Sequence, residues 1–87
     1  HAGARFKLGL SLISTKRAKD REDGMQHLAR AAEQGYIRAE YATGALLVEL
    51  RGEEAESFDE GIRLLRRAAA KGHQPAINYL AERQMPT

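Results

Sequence analysis

The chain has 87 residues, which is enough for one small domain with a core that is marginal by size. Its composition, 43% hydrophobic and 30% charged, is typical of a globular chain and not of a disordered one. The net charge of +2 argues against nucleic acid or an anionic membrane as partner unless charge is clustered locally. No apolar run approaches the length of a membrane span, and the absence of cysteine excludes disulfides and thiol catalysis.

The first helix is predicted over residues 2–14. Ala4, Leu8 and Leu12 recur at helical spacing, and we expect this apolar stripe to face the second helix. A charged connector, TKRAKDRED, follows.

The second helix is predicted over residues 21–34. Asp20 is its expected N-cap, with Asp23 three residues later in the manner of a capping box. Gly35 should end the helix, because glycine adopts the left-handed conformation of a C′ residue most easily, and Tyr36 follows it.

A third helix is predicted from about Ile37 until the polar stretch LRGEEAE interrupts its pattern. Ser57 and Glu60 then form a second capping box, which predicts a fourth helix that runs to Lys71. Gly72 should stop it, as Gly35 stops the second.

The fifth helix is predicted over residues 75–84, with Pro75 in the first turn, where proline is tolerated.

Three stretches of the chain repeat one another. The stretch LARAAEQGYIRAEYATG, a helix end followed by a helix start, recurs as RRAAAKGHQPAINYLA after 37 residues, and HAGARFKLG matches its second half. A period of this length predicts an α/α superhelical solenoid in which each unit buries its apolar face on the next. We therefore expect a single domain over 1–87 with two and a half helix-turn-helix repeats and five antiparallel helices, in units of about 1–35, 36–72 and 73–87.

Glycines fall at matching points of the two units, at Gly24 and Gly61 and at Gly35 and Gly72, and so do Gly9 and Gly44, which lie inside predicted helices. Because a glycine inside a helix costs about 1 kcal/mol relative to alanine, its repeated use indicates close helix–helix crossings. The alternative is that these positions are merely tolerated weak points.

The repeated motifs resemble those of a known family. RAAEQGY and RAAAKGH are similar to the K-A-A-E-x-G-H signature of Sel-like repeats, which are relatives of tetratricopeptide repeats, and Ala4 with Leu8-Gly9 resembles the start of that repeat. Thr43 stands where the family prefers leucine, and neither connector has the usual G-x-G turn.

The resemblance implies a non-enzymatic scaffold or adaptor that binds a partner protein or peptide. It implies no cofactor, and it favours a bacterial envelope or periplasmic location over the cytoplasm, although the sequence leaves the compartment open. The chain opens at His1, inside a repeat and without an initiator methionine, so we expect it to be a piece or a processed product of a longer protein.

Catalytic and metal-binding patterns are absent from the sequence. His1 and His73 occupy the repeat position that Tyr36 occupies in the other unit, and a metal site would not permit tyrosine in place of a histidine ligand. His27 has no second ligand at helical spacing. There is no nucleophile elbow, phosphate loop or HExxH motif. We expect neither an enzyme nor a metal site.

Basic residues are the basis of a second hypothesis, in which a surface of the fourth helix binds nucleic acid or anionic lipid. This reading is the weaker one, because base stacking needs exposed aromatic residues and the helices concerned have few. A third reading is a structural spacer within a longer solenoid. The basic residues cluster on helix four and in the first connector, at Arg63, Arg66, Arg67, Lys71, Lys16, Arg17, Lys19 and Arg21.

The resemblance also implies where a partner binds, because the first helix of each unit lines the concave face of such solenoids. The expected protein-binding row on these helices, with Tyr41 as anchor, consists of Phe6, Leu10, Arg38, Tyr41, Ala45, Asn78 and Glu82. The alternative is that Phe6 and Tyr41 only seal adjacent helices.

Self-association through the terminal helices, or burial of one end by a missing neighbouring repeat unit, is a further expectation. Phe6, Leu10, Ile13 and Met85 are not the polar residues that normally cap the ends of a solenoid.

Overall fold

A computed structural model describes residues 2–83, and within them the chain forms five α-helices and no strand. The all-α fold with five helices is therefore confirmed, while residue 84, the predicted end of the fifth helix, lies outside the described part. The helices are α1 (Ala2–Ile13), α2 (Ala18–Glu33), α3 (Ile37–Arg51), α4 (Ala55–Ala70) and α5 (Gln74–Glu82).

Each helix packs against the next along the chain, in antiparallel fashion. The start of α2 meets the end of α3, where Arg51 donates to Glu22 at 2.6 Å, and the end of α2 packs near the start of α3 through Ala31 and Ala39. The shortest dimension of the structure is 18 Å, about the thickness of two packed helices. The core follows these interfaces in two clusters of buried side chains, one of them containing Ala31, Ala32, Ala39 and Leu64 and the other Val48, Ile62, Leu65, Ala68, Ala69, Ala76 and Leu80.

The prediction that Asp20 caps α2 is wrong. The helix begins at Ala18, and the N-cap position is held by Arg17, whose backbone is extended and whose side chain makes no capping hydrogen bond. Ala18 and Lys19 favour the helical conformation, so the helix extends past the expected cap. Asp20 lies in the first turn instead, where a negative charge interacts favourably with the helix dipole.

The capping box predicted at Ser57 and Glu60 is also absent. Helix α4 begins at Ala55 with Glu54 at the N-cap position, so Ser57 is already helical. The Ser57 hydroxyl donates to the Glu54 carboxylate at 3.4 Å, and the Glu60 carboxylate accepts from Arg63. Both partners of the expected box therefore bond to other side chains.

The glycine stops predicted for α2 and α4 are confirmed. Gly35 and Gly72 have φ values of +84° and +86°, in the left-handed region that glycine adopts without strain. In both turns the N–H of the next residue donates to a carbonyl of the last helical turn at 3.1 Å, which completes a Schellman motif.

Glycines also lie where the two helices of each hairpin cross, as the sequence predicts. A Cβ atom on Gly44 would lie 2.7 Å from the Gly61 carbonyl oxygen, and one on Gly24 would lie 2.8 Å from the Gly9 carbonyl oxygen. The backbones of α1 and α2, and of α3 and α4, are therefore close enough to exclude any side chain at the crossing. This contact sets how each hairpin packs.

Replacing Gly61 by alanine should destabilise the fold by about 2 kcal/mol, because the new methyl group meets backbone that cannot move independently. The matched variant is Gly72→Ala. The new Cβ atom lies in open space, so this variant should lose only about 1 kcal/mol of stability, because alanine is strained in the left-handed conformation. Urea denaturation of the two variants compares these costs. Equal stability of the two variants would show that the crossing is not tightly packed.

The stripe expected to join α1 to α2 is only partly correct. Gly9 is buried at the crossing and Leu12 reaches Gly24, but Ala4 is exposed and Leu8 is 47% exposed. The close glycine contact turns the Gly9 side of α1 towards α2. Leu8 is one residue earlier, so its side chain is rotated by about 100° around the helix axis from Gly9. Ala4 and Leu8 therefore lie to one side of the contact with α2 and not within it.

One buried carboxylate ties three helices together. Glu40 on α3 is 0% exposed, and both its oxygens accept from Lys71 Nζ, at 2.9 and 3.0 Å. A second cation, Arg67, approaches the same carboxylate at 3.4 Å. Lys71 also donates to the Gly35 carbonyl oxygen at 3.3 Å, so the cluster links the end of α2 to α3 and α4.

Glu40→Gln should lower the free energy of unfolding by about 2 kcal/mol, because the ammonium and guanidinium groups lose their buried anion. The control is Glu60→Gln, which removes the other carboxylate that binds a cation on α4. Its partner Arg63 is exposed, so we expect almost no change. Thermal unfolding followed by circular dichroism gives both values. If Glu60→Gln lowered the stability as much as Glu40→Gln, the buried position of Glu40 would not be what makes its ion pairs important.

Candidate interaction surface on α1, α3 and α5

The seven residues of the expected binding row all lie on α1, α3 and α5 and keep some solvent exposure. Leu10 is 40% exposed and is one of three large apolar side chains that are exposed among residues 2–83. The exposed members are Leu10, Arg38, Asn78 and Glu82, and the half-buried members are Phe6, Tyr41 and Ala45.

Phe6 and Tyr41 each contact the residue that follows the next glycine stop. The Phe6 ring lies 5.3 Å from the Tyr36 ring, and the Tyr41 ring lies 5.3 Å from His73, with similar tilts of 52° and 57°. The same aromatic contact therefore occurs twice, between α1 and the start of α3 and between α3 and the start of α5. Both residues do seal neighbouring helices, and each remains partly open to solvent.

Tyr41 is further held by α5. Its ring meets Tyr79 edge-on at 6.3 Å, and the Tyr79 hydroxyl donates to the Glu49 carboxylate at 3.0 Å. The Arg83 guanidinium lies 5.1 Å from the centre of the Tyr79 ring. Two aromatic neighbours thus hold the Tyr41 ring, and one of them, Tyr79, is itself held by a hydrogen bond.

Burial raises the pKa of Tyr79 from 10.0 to about 12, and the hydrogen bond to the Glu49 carboxylate acts in the same direction. Both effects favour the neutral phenol, since an apolar surrounding and a neighbouring anion disfavour phenolate.

The contribution of this phenol to stability should be lost at high pH. The pKa in the folded chain is above the unfolded value, so the stabilisation is present below pH 10 and is lost as pH rises from 10 to about 12. A pH titration of tyrosinate absorbance should contain one transition near pH 12, and Tyr79→Phe should remove that transition. A Tyr79 component that titrates near pH 10 would contradict the burial and the hydrogen bond.

The basic cluster of α4 is largely paired with carboxylates. Arg63 donates to Glu60 at 2.6 Å, and Arg67 and Lys71 surround the buried Glu40. These cations are therefore partly neutralised within the fold, which weakens the polyanion hypothesis for this face.

The basic residues of the first connector remain at the surface. Lys16, Arg17, Lys19 and Arg21 are exposed, and Arg21 donates to the carbonyl oxygen of Lys16 at 3.1 Å. They lie at the turn between α1 and α2 and at the start of α2.

A cleft of about 130 Å³ lies between α2 and α4 above Thr43. Thr43 is 2% exposed, and its hydroxyl oxygen is buried without a hydrogen-bond partner. Its repeat equivalents are the larger Leu8 and Leu80. The small side chain at this position leaves space that a leucine would occupy, as Ala29, Ala32, Leu47 and Leu64 line the cleft.

Glu40 is the residue that sequence reasoning missed. A glutamate next to an apolar stripe reads as a surface charge, and its cations lie 27 and 31 positions later on another helix. One feature of the sequence does indicate burial of Glu40: it lies four and eight residues before Gly44 and Val48, and therefore on the same side of α3 as these two residues.

Within residues 2–83, no group of three histidine, aspartate or glutamate side chains is arranged to hold a metal ion. In the same range, no helix has the length and apolar character needed to cross a bilayer.

Comparison of the chain with models of protein families, with curated proteins and with solved structures gives no match. The likeness to Sel-like repeats therefore remains a hypothesis that depends on the repeated motifs.

Proposed function

We propose that the chain is a non-enzymatic protein-interaction module that binds a segment of a partner protein along the exposed side of α1, α3 and α5. The observation that supports this most directly is the fixed, partly exposed ring of Tyr41 at the centre of that side. In the proposed reading this side is the concave face of a short helical-repeat solenoid.

Tyr41 is suited to anchor a partner because its ring is already ordered. His73 and Tyr79 hold the ring in place, so a partner that packs on its open part does not have to immobilise it. Aromatic residues held in this way are frequent among those that contribute most to protein–protein affinity.

The surroundings of Tyr41 specify the kind of partner. Ala42 and Ala45 are small and leave room beside the ring, and Arg38 is exposed one turn earlier on α3. Leu10 adds an exposed apolar side chain on α1. This combination suits a segment with an apolar side chain for Tyr41 and a carboxylate for Arg38.

The paired cations on α4 favour this reading over polyanion binding. Polyanion affinity depends on cations that exchange counterions for phosphates, and three of the α4 cations are already matched by Glu40 and Glu60. Protein binding through the proposed side should therefore show only a modest salt dependence, whereas polyanion binding would weaken steeply with salt.

Arg38→Glu should weaken partner binding about ten-fold, because it places a negative charge where the partner carboxylate binds. The partner is first captured through a photo-crosslinking residue at Ala45, and affinities are then measured by calorimetry. Arg30→Glu is the matched control, since it makes the same charge change at an exposed position of α2, and it should leave the affinity within about two-fold.

Tyr41→Ala should weaken binding as well, but it also removes the contacts with His73 and Tyr79, so its folding must be checked first. If Arg38→Glu and a folded Tyr41→Ala bind with unchanged affinity, the proposed side is not the binding surface. The basic face of α4 would then be the next candidate.

A further inference from the structure

One apolar edge of α1 is largely exposed in the described structure. Ala4 is exposed and Leu8 is 47% exposed, and both lie on one stripe of α1 beside the Gly9 contact with α2. In the repeat alignment they correspond to Ala39 and Thr43 on α3, which are 0% and 2% exposed. We refer to Ala4 and Leu8 as the α1 edge.

The same pair of residue types is fully buried elsewhere in the molecule. Ala76 and Leu80 on α5, an alanine and a leucine four positions apart, are both 0% exposed. They pack in a cluster with Leu65, Ala68 and Ala69 of α4. In this chain, therefore, an Ala-x-x-x-Leu edge that has a neighbouring helix is covered by the leucine and alanines of that helix.

The covering helix has a constant pattern. The contact residues of α4 are a leucine followed by alanines three and four positions later, and α2 has the same pattern at Leu28, Ala31 and Ala32. Ala31 and Ala32 pack with Ala39 on α3, so the two alanines serve the equivalent interface between α2 and α3, while Leu28 lies against Gly9 of α1. Two of the three Ala-x-x-x-(Leu/Thr) edges are thus covered by a helix with the sequence L-x-x-A-A.

We propose that the α1 edge is a docking site for a partner helix that carries L-x-x-A-A. The small alanines allow a close approach to α1, and the leucine packs beside Leu8, as in the joint between α4 and α5. The site is independent of the proposed binding row, because Leu8 and Leu10 are two positions apart and point about 200° apart around α1.

The charges beside the α1 edge indicate the composition of the partner helix. Arg5 and Lys7 flank the α1 edge, so a helix with acidic side chains beside its L-x-x-A-A pattern fits best. The segment of residues 20–36 of this chain has that composition, with more acidic than basic side chains, namely Asp20, Glu22, Asp23 and Glu33 against Arg21 and Arg30.

The test uses the full chain, isotopically labelled, and a synthetic peptide of residues 20–36 held helical by one side-chain staple. Nuclear magnetic resonance titration should shift amide signals of α1 around Ala4 and Leu8. Leu8→Asp should weaken binding about ten-fold, because it puts a charge where a leucine is to be buried. Leu50→Asp, which changes a 63% exposed leucine on α3, is the matched control and should leave binding within about two-fold.

A peptide variant with Ala31→Leu and Ala32→Leu should also lose affinity, since its contact side is too large for a close approach. Thermal unfolding verifies that Leu8→Asp is folded, as expected for an exposed position.

Three outcomes would overturn the proposal. Absence of binding, or equal weakening by Leu8→Asp and Leu50→Asp, would show that the α1 edge is not a docking site. Concentration-dependent dimerisation of the chain alone, abolished by Leu8→Asp, would assign the edge to a second copy and not to a partner helix. Sedimentation of the chain without peptide distinguishes this last case.

Discussion

The structure depends first on the contact between helix backbones at the glycine crossings. Gly44 and Gly61 approach so closely that a Cβ atom on either would lie 2.7 Å from the other's carbonyl oxygen, and Gly9 and Gly24 repeat this contact in the first hairpin. Such an approach excludes side chains from the crossing and fixes the rotation of each helix about its axis. It therefore determines which residues of α1 and α3 are buried and which stay at the surface.

The joints between hairpins are built differently from the hairpins themselves. They use Schellman turns at Gly35 and Gly72, two alanines of one helix packed on the next, and an aromatic contact across the turn. The joint between α2 and α3 adds the buried Glu40 with its two cations. Position 77, its repeat equivalent on α5, is an isoleucine, so the ionic cluster is not a repeated feature.

These contacts leave two distinct exposed surfaces on the described structure. The aromatic contacts hold Tyr41 while leaving it partly exposed next to Arg38, and this supports the proposal of a protein-binding row. On α1, Ala4 and Leu8 stay exposed because no described helix covers them, whereas their repeat equivalents Ala39 and Thr43 on α3 are buried. One helix thus presents two surfaces whose functions can be tested by separate substitutions at Leu10 and Leu8.

The sequence by itself determined the helices, their glycine stops and the close crossings, because these depend on local backbone preferences and on residue size at a repeated spacing. It also placed the seven residues of the binding row on α1, α3 and α5. It misplaced the starts of α2 and α4, since good helix formers extend a helix past a possible cap. Only the tertiary structure decided that Glu40 is buried, that Phe6 and Tyr41 contact the next turn, and that Leu8 is exposed. Each of these depends on how far a helix is rotated against its neighbours, and that rotation is set by contacts between residues distant in the chain.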